Sequence, residues 1–207
     1  MTSQPSQRRI FALFAKLLDY PWAPLSGVAR ECAVLVAESS PRAAAYLQEF
    51  EAFVNRTPLS RLEEIYTSAF ELNAACHPYI GYHLFGESYK RSIFLLGLKE
   101  RYRLYNIDCG VELPDHLAVM LRFLAVNQDV AETDGVIREA LHPALCKMLK
   151  DKVADAPGPG TLKQPGRDGE YKRLLHALRA VLLTYIPDEA PPEGEMPLDD
   201  LLPVTGS

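Results

Sequence analysis

In the stretch YTSAFELNAACHPYIGYHLFGESYKR, residues 66–91, and in the run ELPDHL, residues 112–117, the sequence departs from a plain helical pattern. Over most of the rest of the chain, apolar residues recur every three or four positions, as they do along the buried face of a helix. No segment alternates apolar and polar residues between hairpin turns, as a half-buried strand would. The sequence therefore predicts an all-α fold, a single-domain helical bundle with two interruptions.

Composition and charge fit a globular domain with an acidic appendage. The chain has 207 residues, 48% of them hydrophobic and 24% charged, which is enough for a substantial core. The net charge is −5, yet residues 187–207 alone hold six acidic residues and neither Lys nor Arg. The nearly neutral remainder lacks the basic face that nucleic-acid binding needs. We expect a helical domain over residues 1–186 with a flexible loop at about 155–169, and a disordered Pro-rich acidic tail over 187–207.

The residues that commonly bind metals or catalyse reactions are scattered. None of the four cysteines forms a CxxC pair, and no two of the five histidines are spaced i, i+4. Glycine-rich phosphate loops, GxSxG elbows and HExxH helices are absent as well. We therefore predict no metal site, no catalytic residues and no stably bound cofactor.

The N-terminus superficially resembles a twin-arginine export signal, because Arg8 and Arg9 precede apolar residues. Lys16 and Asp19 interrupt what would be its apolar region, and no small-residue cleavage site follows. No apolar run approaches the roughly 18–20 residues that span a bilayer. We expect this segment to be the first helix of a cytoplasmic protein without stable membrane insertion.

The first interruption contains an aromatic segment from Tyr79 to Phe85. Pro78 fixes the chain before it, and Gly81 permits close approach of another group. Tyr79 and Tyr82 would share one face of a helical turn. Because a buried tyrosine hydroxyl needs a polar partner, these two residues are candidates for a groove wall as much as for the core. Phe85 is predicted to be core.

The second interruption places charged residues at a predicted helix start. Asp115 follows Pro114, so its carboxylate is expected to cap the free amide groups of that helix. His116 would then lie in the first turn, where the helix dipole disfavours a protonated imidazole. Glu112 lies just outside the turn and can pair with an incoming cation. Further back, Glu87 and Arg91 are spaced i, i+4, which predicts a solvated ion pair.

These clusters, in this order, resemble the NarJ/TorD/DmsD family of chaperones for molybdenum enzymes, and the nearest branch is that of the nitrate reductase delta subunits. The resemblance covers roughly residues 8–150. The matching residues are Tyr66–Leu72, Cys76, Tyr79–Tyr82, His83–Arg91, Leu98–Tyr102 and Glu112–Leu117. Glu112–Leu117 is the most specific of them.

The resemblance implies a helical maturation chaperone that binds the N-terminal peptide of a molybdenum-containing catalytic subunit. Such a chaperone holds its client until molybdenum cofactor insertion and assembly. The family's peptide-binding motif maps onto Pro114, Asp115 and His116, and the aromatic segment with Tyr79 and Tyr82 helps to form the groove. The residues themselves agree with this implication, because helix-in-groove recognition needs apolar pockets rimmed by complementary charge.

Three alternatives remain at this level. The client can be another enzyme of the dimethyl-sulfoxide-reductase family. A helical enzyme would use His116 as a base oriented by Asp115, and would need a deep closed pocket with a second titratable group. A general interaction scaffold would bind unrelated helices without preference for arginine-bearing N-termini.

Overall fold

The structure is a computed structural model that describes residues 4–22, 24–72, 76–149 and 169–186. Within these ranges, two π-helical segments, of five and six residues, interrupt the α-helices. The elements in chain order are α1 (Gln4–Leu17), α2 (Leu25–Val36), α3 (Pro41–Arg56), α4 (Leu59–Tyr66), π1 (Thr67–Glu71), α5 (Ile80–Phe85), α6 (Tyr89–Leu104), α7 (Leu117–Val126), α8 (Val130–Gly135), π2 (Val136–Leu141), α9 (His142–Leu149) and α10 (Gly169–Leu182).

The helices pack around one hydrophobic core. Helix α1 lies against α2 and α7, α3 lies against α2 and α10, and α9 contacts α5 and α10. The core cluster takes apolar side chains from all of these helices. Over the described ranges the backbone forms no strand, and its isolated bridge pairs Tyr79 with His116. The predicted all-α bundle is thus confirmed.

Local sequence signals explain several helix ends. The Ser40 hydroxyl accepts a hydrogen bond from the Ala43 amide at the start of α3, where Pro41 occupies the first turn, as expected of a capping serine followed by proline. Gly86 ends α5 with φ 62°. That conformation is in the left-handed region, which a side chain with a Cβ rarely adopts. The short aromatic segment, most of which forms α5, therefore ends at Gly86.

Two predictions fall on parts of the chain outside the described residues. The tail over 187–207 is one, and the loop at about 155–169 is the other, except that Gly169 already begins α10. Within the described residues, no helix combines the length and the hydrophobicity that crossing a membrane requires.

Candidate functional site

The two interruptions of the helical pattern meet in space. Tyr79 and His116 form an antiparallel bridge. On one side the Ile80 amide donates to the Asp115 carbonyl oxygen at 2.8 Å, and on the other the Leu117 amide donates to the Pro78 carbonyl oxygen at 2.7 Å. The starts of α5 and α7 are thereby fixed against each other, and residues from both line one cleft.

That cleft is a pocket of about 310 Å³ between the end of α1, π1 and the bridge. The pocket has room for a few side chains, and its volume is near the lower limit for ligand pockets. Its lining residues are Asp19, Tyr20, Tyr66, Phe70, Glu71, His77, Pro78, Tyr79, Glu112 and His116. We call this cleft the acidic pocket, because three of these residues are carboxylates.

The charged groups that line the acidic pocket are carboxylates. Asp19, Glu71 and Glu112 line it, and no Lys or Arg is among its described lining residues. Asp19 follows the C-terminus of α1, and Glu71 ends π1. Helix C-termini carry partial negative charge, so both helix ends add to the negative potential. A cation entering this pocket would be stabilised, and an anion would be repelled.

Aromatic rings form the apolar floor of the pocket. The Tyr66 and Phe70 ring centroids are 5.0 Å apart, and the exposed Tyr20 ring packs edge-on against Tyr66 at 5.6 Å. Tyr171 from α10 contacts both floor rings, at 5.4 and 5.2 Å. The Tyr66 hydroxyl donates to the Leu18 carbonyl oxygen at 3.3 Å, so its polar end is satisfied. Apolar walls beside carboxylates suit a cationic side chain with an aliphatic stem.

Tyr79 and Glu112, two predicted site residues, contact each other at the pocket. The Tyr79 hydroxyl donates to Glu112 Oε2 at 2.8 Å. Burial, and then the hydrogen bond to this carboxylate, raise the pKa of Tyr79 to about 12. The phenol therefore stays protonated at neutral pH and keeps one oxygen of Glu112 oriented.

His116 caps α7, a role that the sequence predicts for Asp115. The structure places His116 at the N-cap, where its Nδ1 accepts from the Ala118 amide at 3.2 Å. Nδ1 can accept only when it carries no proton. Burial lowers the pKa of His116, against the opposing effect of Glu112 and Asp19. The expected neutral imidazole thus agrees with the cap, although the capping residue was predicted wrongly.

Asp115 lies beneath the pocket, outside its lining. Its side chain is 0% exposed, and its Oδ2 accepts from Arg91 Nε at 3.0 Å. The solvated pair predicted between Glu87 and Arg91 is therefore wrong, because Arg91 turns inward to a partner 24 residues away. Arg91 thus supplies the opposite charge next to a buried carboxylate, where an unpaired charge would be costly.

Two other predicted binding residues also lie away from the pocket lining. The Tyr82 ring packs on the Arg91 guanidinium at 5.9 Å and edge-on against His77 at 6.1 Å. Pro114 is buried, and its carbonyl oxygen accepts from the Tyr102 hydroxyl at 2.8 Å. Of the six predicted residues, Tyr79, Glu112 and His116 line the acidic pocket, whereas Tyr82, Pro114 and Asp115 are not among its lining residues.

A series of hydrogen bonds ties the pocket wall to its neighbours. His77 Nδ1 donates to the Phe70 carbonyl oxygen at 2.9 Å, and His83 Nε2 donates to the His77 carbonyl oxygen at 2.7 Å. Lys147 of α9 donates to the His83 carbonyl oxygen at 2.8 Å. These bonds hold the segment that carries Pro78 and Tyr79 against π1 and α9.

Sequence reasoning missed two of the three pocket carboxylates, Asp19 and Glu71. Both lie beside a ring at a helix C-terminus, in the pairs Asp19-Tyr20 and Phe70-Glu71. An acidic side chain there is disfavoured by the helix dipole. That unfavourable placement, repeated beside aromatic residues, is the signal that could have indicated them.

No group of three or more His, Cys, Asp or Glu side chains able to hold a metal ion occurs within the described ranges. Cys32 and Cys76 are buried, whereas Cys109 and Cys146 are only partly buried.

Comparison with known proteins agrees with the fold and with the resemblance seen in the sequence. A solved structure, described as a putative redox enzyme maturation protein from Archaeoglobus fulgidus, aligns with a TM-score of 0.53. It is 22% identical over 85% of this chain and 93% of that chain, which establishes a shared fold. No curated protein matches the chain. The family model described as nitrate reductase delta subunit matches residues 37–154, and the chain therefore belongs to that family.

Proposed function

We propose that this protein is a maturation chaperone that binds the N-terminal peptide of a molybdenum-containing catalytic subunit of the nitrate reductase type. Its client would be held until the molybdenum cofactor is inserted and the complex is assembled. Membership of the delta-subunit family supports maturation of such an enzyme, and agrees with the expectation that the chain is not an enzyme itself.

One observation carries the peptide-binding part of the proposal. Asp19, Glu71 and Glu112 line a pocket whose floor is aromatic and whose described lining includes no Lys or Arg. A peptide with arginine followed by apolar residues is complementary to such a surface. Its guanidinium would meet the carboxylates, and its apolar side chains would meet the rings.

The size of the pocket defines what part of a peptide it would take. About 310 Å³ accommodates a few side chains but not a folded segment. The acidic pocket would therefore anchor one or two residues, while the rest of the peptide follows the surface past it. Tyr20, one of the lining residues, is 50% exposed, and Trp22, two residues further along the chain, is 40% exposed. Exposed aromatic residues of this kind commonly anchor partner segments.

The geometry gives little support to the alternative of a helical enzyme. A base at His116 oriented by Asp115 would need that carboxylate on the imidazole, but Asp115 Oδ2 accepts from Arg91. His116 Nδ1 accepts from the Ala118 amide and is committed to capping α7. These residues stabilise the fold, and neither is free to accept a substrate proton through those atoms.

The proposal is tested by calorimetric titration with a synthetic peptide that copies the N-terminus of a nitrate reductase catalytic subunit. A second peptide replaces each arginine with glutamine. We expect saturable binding in the micromolar range or tighter for the first peptide, with about tenfold weaker binding of the second, because close charge pairs contribute about that much.

Protein variants locate the binding site. Asp19→Asn and Glu71→Gln remove pocket charge, whereas Glu38→Gln removes the charge of an exposed acid outside the pocket lining. The first two should weaken binding, and the third should not. If the nitrate reductase peptide fails but the N-terminus of another molybdenum enzyme binds, the client assignment changes. Failure of the whole panel would sink the peptide-binding proposal.

A further inference from the structure

Arg91 does not line the acidic pocket, yet its side chain contacts residues of both interruptions of the helical pattern. It projects from α6, contacts Tyr79 and Tyr82 on one side, and binds Asp115 on the other. Its side chain is 17% exposed, against 0% for Asp115. We propose that Arg91 is a positioning residue for the acidic pocket: it holds Asp115 and the Tyr79 ring in place and stays there when a ligand binds.

The contacts of Arg91 with the two rings are the first support. Its guanidinium carbon lies 5.9 Å from the ring centroids of both Tyr79 and Tyr82. A planar cation at the face of an aromatic ring is attracted by the ring's quadrupole. Arg91 therefore restrains the Tyr79 ring without itself lining the pocket. On its other flank, the same ring packs edge-on against His116 at 5.5 Å.

The ion pair with Asp115 is the second support. Asp115 contributes its side chain to Arg91 and its carbonyl oxygen to the Ile80 amide, 2.8 Å away. One residue thus links α6 with the bridge between Tyr79 and His116. A buried carboxylate that lost its guanidinium would be left unpaired, which is costly, and it would move. That movement would disturb the bridge and the two pocket residues that form it.

The surroundings of Gly81 are independent evidence that Arg91 and Asp115 are closely packed against α5. A Cβ added there would lie 2.8 Å from Asp115 Oδ2, 3.0 Å from Phe94 Cδ1 and 3.3 Å from Arg91 Cγ. The carboxylate reaches Arg91 only because α5 has no side chain at this position. Arg91 and Asp115 are thereby enclosed between α5 and α6, which favours a permanent structural contact over one that opens for each ligand.

The effect on binding passes through Tyr79 to Glu112. The Tyr79 hydroxyl orients the Glu112 carboxylate at 2.8 Å, and Glu112 lines the pocket whereas Arg91 does not. Without Arg91 the Tyr79 ring would be free to move, and the Glu112 carboxylate would lose its fixed orientation. This inference rests on the proposed function for its ligand, but the placement of Tyr79 can be measured in the free protein.

The test compares Arg91→Lys with Arg103→Lys, an exposed position on the same helix. Lysine keeps the positive charge but lacks the planar fork that contacts the rings and Asp115. Calorimetry with the arginine-bearing N-terminal peptide should show about tenfold weaker binding for Arg91→Lys, as for other disrupted buried charge contacts, and no change for Arg103→Lys.

A double variant separates positioning from general destabilisation. If Arg91 acts through Glu112, then Glu112→Gln should weaken binding much less in the Arg91→Lys background than in the wild type. Additive effects of the two substitutions would overturn the positioning role. The positioning role would also be overturned if Arg91→Lys bound the peptide as tightly as the wild type, or more tightly, while Glu112→Gln still weakened binding. Tighter binding would mean that the ligand has to displace Arg91.

Measurements on the free protein make failure of this inference distinguishable from failure of the proposed function. If the wild type binds no N-terminal peptide, the proposed function fails. The ring resonances of Tyr79 and the imidazole resonances of His116 should still shift in Arg91→Lys and remain in place in Arg103→Lys. Unshifted resonances in Arg91→Lys would refute the positioning role without reference to any ligand.

Discussion

The Tyr79 hydroxyl donates a 2.8 Å hydrogen bond to Glu112, a residue 33 positions away along the chain. Each belongs to a different interruption of the helical pattern, and the two interruptions meet at the bridge between Tyr79 and His116. The contact places an oriented carboxylate beside an aromatic wall. Substitutions at this contact can remove either the charge of Glu112 or the hydrogen bond from Tyr79, so the effect of each can be measured separately.

Glu112→Gln should lower affinity for an arginine-bearing N-terminal peptide by about tenfold, as expected when a carboxylate facing a cation becomes neutral. The amide oxygen of glutamine can still accept from Tyr79, so the hydrogen bond itself survives. Calorimetric titration at two salt concentrations measures the change. The salt dependence should weaken in Glu112→Gln, because less charge attraction remains to be screened. An unchanged affinity would mean that Glu112 does not face the ligand.

Tyr79→Phe should lower the free energy of unfolding by no more than about 1 kcal/mol, because one hydrogen bond of a partly buried phenol is lost while the ring contacts remain. Urea unfolding followed by circular dichroism measures this value. Much greater destabilisation would show that the phenol has a larger structural role than its single hydrogen bond suggests.

Asp115→Asn should lower the free energy of unfolding by about 3 kcal/mol, because it leaves the largely buried Arg91 without its anion. The matched control is Glu31→Gln, which breaks the pair between Arg9 and Glu31, whose side chains are 51% and 44% exposed. An exposed pair contributes at most about 1 kcal/mol. Urea unfolding of both variants measures the difference, and equal losses would contradict the structural role of Asp115.

Gly81→Ala should destabilise the protein by about 1–3 kcal/mol, since the new methyl group would overlap the Asp115 carboxylate and the Phe94 ring. Gly135→Ala is the matched control, because a Cβ there meets nothing within 4 Å. Gly135 ends α8 with helical backbone angles, so alanine should be neutral or stabilise by up to about 1 kcal/mol. Thermal unfolding of the two variants should shift in opposite directions or, at the least, clearly differ.

Stability should fall as the pH is lowered from 7 to 5. Burial holds the pKa of His116 below its usual value, so the unfolded chain binds protons more readily than the folded protein in this range. Protonation below the unfolded pKa of about 6.5 therefore favours unfolding. Burial lowers the pKa of His83 and His142 as well, and both contribute in the same direction.

The variant His116→Asn separates the contribution of His116 to this pH dependence from those of His83 and His142. Asparagine is a good N-cap, so α7 should keep its capping interaction. Urea unfolding at pH 7 and pH 5 should show a smaller loss for His116→Asn than for the wild type. The remaining loss is expected from His83 and His142. An identical pH dependence in both proteins would show that His116 does not titrate with unfolding.

Local patterns in the sequence were sufficient for much of the architecture. The spacing of apolar residues predicted the helices, and the break at Gly86 followed from the backbone angles that glycine adopts. The family resemblance drew attention to the run from Glu112 to Leu117, of which Glu112 and His116 line the pocket and the other four residues do not. Periodicity indicates which face of a helix is buried, but it does not say what that face meets.

Arg91 and Asp115 show where local reasoning failed. Spacing along the helix favoured a surface pair between Arg91 and Glu87, and the proline before Asp115 favoured a helix cap. Both predictions used the nearest available partner. In the folded chain, Gly81 leaves room for Asp115 to approach Arg91, and the adjacent His116 caps α7 instead.

The sequence by itself determined the helical class, the family and the two segments from which the site is built, because these depend on residue type and spacing along the chain. Only the tertiary structure decided which side chains face the pocket and which lie behind it. Asp19 and Glu71 join Glu112 there because packing brings the ends of α1 and π1 to the bridge between Tyr79 and His116. Contacts between such distant segments depend on how the buried faces of the helices fit together, and local spacing does not encode that fit.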